Sequence, residues 1–148
     1  MDKDTNATQP ANSKLRLLII EDQPDIRMYL DVILKSTYDV DMVDNPEDAL
    51  RKAEAERYDL FLVDINLKDE RDGVDLFHAF RAMPKYEHAP MIACTAYALA
   101  SERVYFLQTG FDEYVSKPFQ RKVLLDTLER MASLAQIEGL SPPLHPSA

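Results

Sequence analysis

Residues 60–66 read Leu60-Phe61-Leu62-Val63-Asp64-Ile65-Asn66, a short apolar run that ends on a carboxylate. A run so brief and so apolar fits a strand covered on both faces, which is the condition of strands in a parallel sheet. Working outward, comparable runs stand at 15–20, 40–43, 91–94 and 113–115. Helical patterns fill the gaps between them. Pro24 opens the first and Pro46 the second, where a missing N–H costs nothing, and Asn45 is placed to cap the second. Ile26, Leu30, Ile33 and Leu34 share one face of the first helix, and Val123, Leu124, Leu128, Met131 and Leu134 share one face of the last. Pro84 closes the third helix, and Gly110 sits where a left-handed C-cap is needed after the fourth. The pattern is (βα)5. It predicts a single α/β domain with a doubly wound parallel sheet, right-handed crossovers and helices on both faces.

Composition sets the outer bounds. The chain has 148 residues, with 17 Lys+Arg against 26 Asp+Glu for a formal charge of −9. At roughly 100–200 residues per domain this is one domain. The acidic balance excludes nucleic-acid or anionic-membrane binding as the main task, because both need a basic face. Cys94 is the single cysteine, which excludes a disulfide framework and a thiolate metal cluster. It reads as a small buried hydrophobe. Residues 1–13 are polar, without a signal-peptide core, and read as a flexible tail. Residues 137–148 carry Pro142, Pro143 and Pro146 and read as a second tail, leaving 14–136 as the domain. A cytoplasmic location is expected. Arg51, Lys52, Glu54 and Glu56 read as a solvated helix face with ion pairs of little net worth.

In an open α/β sheet, ligands bind beyond the carboxyl ends of the strands. The residues to read are therefore Glu21-Asp22, Asp64-Ile65-Asn66, Thr95-Ala96-Tyr97 and Ser116-Lys117-Pro118. They bring three carboxylates, a hydroxyl and an amine to one sheet edge. Crowded carboxylates repel unless a cation sits among them, and a hard divalent ion such as Mg2+ meets that need. A carboxylate also serves as a nucleophile for phosphoryl groups, and Lys117, the Thr95 hydroxyl and the metal suit the three equatorial oxygens. Each residue alone has a plain structural role: Glu21-Asp22 as a helix cap, Asp64 as a turn residue, Thr95 as a strand end, Lys117 as a surface lysine.

Jointly these motifs resemble the receiver domain of two-component response regulators, from about Lys14 to Met131. They occur in the right order: Glu21-Asp22, Asp64, Asp72-Gly73, Thr95-Ala96, Gly110-Phe111-Asp112 and Lys117-Pro118-Phe119. The resemblance implies a flavodoxin-like sheet of order 2-1-3-4-5. It implies Asp64 as phosphoacceptor, with Thr95 and Lys117 contacting the phosphoryl group. Asp22 and Asp64 would ligate Mg2+ (or Mn2+), with Glu21 acting through water and Asn66 through its backbone carbonyl. Thr95 and Tyr114 would form the switch, while Asn66, Ala96 and Tyr97 would flank the phosphate, Tyr97 shielding it from water. The implied partners are a histidine kinase or histidine phosphotransfer protein and a downstream protein target, with dimerisation also open. The face of the fourth helix, fifth strand and fifth helix would carry the output. The chain departs from the family pattern at Lys68, where a proline is usual, and at Gly73, which comes one residue late. A haloacid-dehalogenase-type phosphohydrolase would need a second Asp two residues after the nucleophile, where this chain has Asn66. A phosphate-independent pseudo-receiver would not need the complete acid set.

Overall fold

The computed structural model describes residues 14–96 and 100–140. Residues 1–13, 97–99 and 141–148 lie outside them, so the N-terminal tail, the C-terminal one from residue 141 on and the shielding by Tyr97 are not described. The elements in chain order are β1 (Arg16–Ile20), α1 (Pro24–Leu34), β2 (Asp39–Val43), α2 (Pro46–Ala55), β3 (Leu60–Asp64) and α3 (Gly73–Arg81). A 3-10 turn (Pro84–Tyr86), β4 (Met91–Thr95), α4 (Ala100–Thr109), β5 (Glu113–Ser116) and α5 (Arg121–Leu140) follow. The five strands are parallel in the order β2-β1-β3-β4-β5, as expected. None of the helices, among the described residues, is long and apolar enough to cross a membrane.

Because strand side chains alternate between faces, the sheet divides its apolar residues into two cores. Leu18, Ile20, Phe61, Val63 and Ala93 face α2, α3 and α4, where they meet Ala49, Ala53, Leu76, Phe80 and Phe106. Leu17, Ile19, Leu60, Leu62 and Ile92 face α1 and α5, where they meet Leu30, Leu34, Leu124 and Leu128. Burying each large side chain contributes about 1.5–3 kcal/mol. This two-sided burial makes the central strands rigid supports for whatever their ends carry.

Local signals explain most element boundaries. The Asn45 side chain accepts the Asp48 N–H at 2.8 Å and caps α2. Gly110 ends α4 at φ +128°, and a Cβ there would lie 2.7 Å from the Phe77 ring, so both backbone and space require glycine. Four expectations need correction, and the first is the start of the C-terminal tail: α5 continues to Leu140, so residues 137–140, read as tail, are helical. Helix α3 ends at Arg81, and Pro84 instead opens the separate 3-10 turn. On α5, Leu124, Leu128 and Met131 are buried, whereas Val123 and Leu134 are 48% and 36% exposed. At about 100° per residue they fall at the margins of the buried stripe. Glu56 is no free member of a solvated face, because its carboxylate meets Arg16 Nη1 at 2.9 Å. Arg16 also bonds Asp39 and Asp41 and lies over the Tyr58 ring, tying β1 to β2 and to the end of α2.

The 3-10 turn places Tyr86, fully buried, against the other end of the sheet. Its hydroxyl lies 2.8 Å from the carbonyls of both Ala53 and Glu56 and accepts the Tyr58 N–H at 3.3 Å. Removing that oxygen strands a buried donor and two acceptors, which costs about 1–3 kcal/mol. Tyr86→Phe is therefore expected to lower the urea midpoint with an unchanged m-value; a midpoint equal to wild type would contradict the assigned role.

Candidate functional site

Parallel register fixes which strand ends meet. Ile20 pairs with Val63, Asp64 with Cys94, and Thr95 with Ser116. The residues just beyond, Glu21-Asp22 after β1 and Lys117 after β5, thus converge on Asp64 from either side. Glu21 and Asp64 are 1% and 2% exposed, and Thr95 is fully buried. One carboxylate oxygen from each of Glu21, Asp22 and Asp64 can be chosen so that all lie within 4.8 Å of one another.

Each acid is held differently. Glu21 continues the β1–β2 pairing through its N–H to Val43 O, and its Oε2 accepts the Gln23 N–H. Its Oε1 lies 2.7 Å from Lys117 Nζ, closer than the 3.4 Å between that ammonium and Asp64 Oδ2. Lys117 is therefore shared by two buried carboxylates and sits nearer Glu21, while the resemblance emphasised only Asp64. Asp64 Oδ1 accepts the Asn66 N–H at 3.0 Å. Asp22 Oδ2 accepts the Lys68 N–H at 2.9 Å, while Asp22 Oδ1 is buried and has no hydrogen-bond partner among the described residues. A buried, unpartnered carboxylate oxygen beside two other carboxylates is a donor set suited to a hard divalent cation.

The electrostatics agree with this geometry. Burial pushes the Glu21 carboxyl up, opposed by its bond to Lys117, with the Asp64 charge adding to the rise. Burial likewise raises Asp64, opposed chiefly by Lys117. For Lys117, burial works to lower the value, but the bond to Glu21 and the neighbouring charges prevail and hold the ammonium protonated. Cys94 lies close by, and its burial raises the thiol well above its ordinary value, so it is no nucleophile.

The neighbouring loop supplies the remaining contacts. Asn66 Nδ2 donates to Thr95 Oγ1 at 2.9 Å, so the residue expected to flank the phosphate and to offer its carbonyl to a cation also holds the Thr95 hydroxyl through its side chain. Ala96 is exposed at the rim. Tyr114 is buried, with its ring stacked 5.9 Å from Phe106 in the core under α4. Asp72 caps α3 through the N–H groups of Val74 and Asp75, and the Asp75 carboxylate answers on the Asp72 N–H. This brings Gly73 against β3. A Cβ on Gly73 would lie 2.5 Å from Asp64 O and 2.7 Å from Ile65 Cα, so only glycine fits behind the central acid.

A five-stranded sheet of this order, with acids and a lysine at its carboxyl edge, defines a CheY-like receiver fold. The family model described as the response regulator receiver domain matches residues 17–129, and the chain belongs to that family. It is a family of signalling domains and not of catalytic enzymes. An uncharacterised 14.6 kDa protein from the sodA1 3′ region of Leptolyngbya boryana is 33% identical over 132 residues, covering 88% of this chain and 95% of its own length. The response regulator protein FleR of Pseudomonas aeruginosa is 32% identical over 125 residues, covering 84% of this chain but only 26% of FleR. Among solved structures, the receiver domain of sensor histidine kinase PA1611 from P. aeruginosa is 34% identical. It has a TM-score of 0.73, over 82% of this chain and 99% of that one, and it holds a magnesium ion in its active-site cleft. A CheY-like receiver domain protein from Methanospirillum hungatei is 28% identical, with a TM-score of 0.76 over 86% of this chain and all of that one.

Like charges within 4.8 Å repel by roughly 3 kcal/mol at an effective dielectric near 20, partly offset by Lys117. Asp22→Asn removes one charge, keeps an oxygen for the Lys68 N–H, and gains an amide able to donate into the cluster. It is expected to raise stability in metal-free buffer by about 1 kcal/mol. A chemical melt in chelator measures this, and a less stable variant would count against carboxylate repulsion.

Proposed function

We propose that this chain is a phosphorylation-controlled switch whose Asp64 accepts a phosphoryl group from a phosphohistidine on a histidine kinase or histidine phosphotransfer protein. The observation that carries the reading is the meeting of Asp64, Lys117 and the unpartnered Asp22 Oδ1 at one sheet edge. An Asp64 carboxylate oxygen attacks phosphorus, the P–N bond breaks, and the imidazole nitrogen keeps the electron pair, leaving an acyl phosphate. Glu21, Asp22, Asp64 and the Asn66 carbonyl would hold Mg2+, which when bound neutralises charge on the transferring phosphoryl group. The Asn66 N–H on Asp64 Oδ1 fixes the orientation of the nucleophile. Lys117 supplies a fixed positive charge beside it, and the Thr95 hydroxyl, which accepts from Asn66 Nδ2, supplies a second donor through its own O–H.

The signal then leaves through α4, β5 and α5. Val104 and Tyr105 on α4 are 51% and 52% exposed and give that face apolar contact points for a protein partner or a second copy. Tyr114 lies on β5 with its ring already buried against Phe106 of α4, which ties the strand next to Thr95 to that face. Turnover as a phosphohydrolase is disfavoured, because Asn66 has no titratable group to move a proton and its amide is already bonded to Thr95.

Labelling with a phosphohistidine donor tests the assignment. Wild type is expected to take up hydroxylamine-labile phosphate in Mg2+, and Asp64→Asn to take up none. Equal labelling of the two proteins would place the acceptor elsewhere.

A pH dependence follows from the raised carboxyl values of Glu21 and Asp64. A carboxyl raised on folding favours the folded state at low pH and loses that contribution as pH rises through its folded value. The metal-free domain thus carries its carboxylate strain at neutral pH, which is where bound Mg2+ relieves it. The Mg2+-induced rise in Tm is expected to shrink as pH falls toward the ordinary carboxylate range, about 4. A rise independent of pH between neutrality and that range would exclude these carboxylates as the ligands.

A further inference from the structure

The two oxygens of Asp22 have unlike surroundings, and the difference is made by the loop between β3 and α3. Oδ2 accepts the backbone N–H of Lys68 at 2.9 Å, and Oδ1 is the buried, unpartnered atom. The donor comes from 46 residues away in sequence and from an otherwise solvent-facing segment, residues 68–72. That segment is anchored at its ends: Ile65 N–H bonds Cys94 O, and Gly73 N–H bonds Ile65 O. A carboxylate turns about a broad torsion, so a side chain held only by its backbone would present either oxygen in many directions. One amide on Oδ2 removes that freedom.

Building on the Mg2+-dependent reading above, we propose that the Lys68 backbone amide is a positioning group for the cation, pinning Asp22 so that Oδ1 faces the Glu21–Asp64 cluster. The Lys68 side chain plays no part in this, and any residue except proline at position 68 supplies the donor. Loop order and cation binding are then linked. Whatever factor the pinned conformation adds to Mg2+ affinity, bound Mg2+ returns to the pinned conformation.

Partners one step removed from a metal commonly carry 10–100-fold in affinity, and a loss of about 10-fold is expected for this single amide. Three measurements on the full chain test the proposal. Calorimetric titration with Mg2+ should show Lys68→Pro, which deletes the N–H, binding about 10-fold more weakly than wild type. Lys68→Ala, which keeps the N–H and loses the charge, should bind at least as tightly as wild type. In unmodified protein, Mg2+ should slow hydrogen exchange at the Lys68 amide by a similar factor, a readout that does not depend on how the proline variant folds. Proline binding as well as wild type, alanine losing as much as proline, or Mg2+ leaving the exchange unchanged would each overturn the inference while leaving the switch reading intact. If wild type itself takes up no Mg2+, the switch reading falls, and this inference falls with it.

Discussion

One ammonium group holds the functional edge together. Lys117 Nζ contacts Glu21 at 2.7 Å and Asp64 at 3.4 Å, and all three groups are largely withdrawn from water. Breaking a buried pair by removing one partner costs about 3–5 kcal/mol, because the remaining charge is left uncompensated. Here one cation faces two acids in contact and a third acid close by, so compensation is incomplete by construction. The upward shifts of Glu21 and Asp64 come first from burial, which Lys117 offsets only in part. The edge is stable enough to fold and electrostatically incomplete, which is the condition for responding to an added ion or phosphate.

That incompleteness can persist only because the sheet beneath it does not yield. Strands β1, β3 and β4 are buried on both faces, and the register that pairs Ile20 with Val63 and Asp64 with Cys94 fixes where the acids emerge. The Lys117 N–H bonds Thr95 O at 2.8 Å, so even the lysine's position is set by strand pairing. Repulsion therefore remains at the edge instead of relaxing into the core.

The architecture was legible because two independent periods agreed. Unbroken apolar runs such as Leu60–Val63 fit two-sided strands, and helix-opening prolines at Pro24 and Pro46 separated them. The site was legible because strand-end residues in a parallel sheet must converge, so Glu21, Asp22, Asp64, Thr95 and Lys117 could be placed without knowing any distance. Three kinds of feature were hidden. A backbone donor such as the Lys68 N–H has no residue-type signature, so its bond to Asp22 was invisible. Side chains with several plausible partners, such as Glu56, Arg16 and Asn66, declare their choice only when the strands are laid side by side. The margins of an amphipathic stripe, Val123 and Leu134 on α5, look apolar in sequence yet face water.

The β3–α3 loop shows how the departures noted at Lys68 and Gly73 fit the site: Lys68 supplies an N–H that a proline there would lack, and Gly73 still lies against β3. The loop touches three of the working groups: the Asn66 side chain reaches Thr95, the Asn66 N–H reaches Asp64, the Lys68 N–H reaches Asp22, and Gly73 lies against the Asp64 carbonyl. Two of these contacts need only a backbone N–H, and a third needs only the absence of a side chain. An extra residue in the loop can be absorbed at Asp69–Glu70–Arg71, which face solvent, provided that the anchors at Ile65 and Gly73 keep their bond. Sequence drift there is constrained by backbone chemistry more than by side-chain identity, with Asn66 and Gly73 as the exceptions. The segment that looked most irregular in sequence is thus the one that links nucleophile, switch hydroxyl and cation acid to a single stretch of chain.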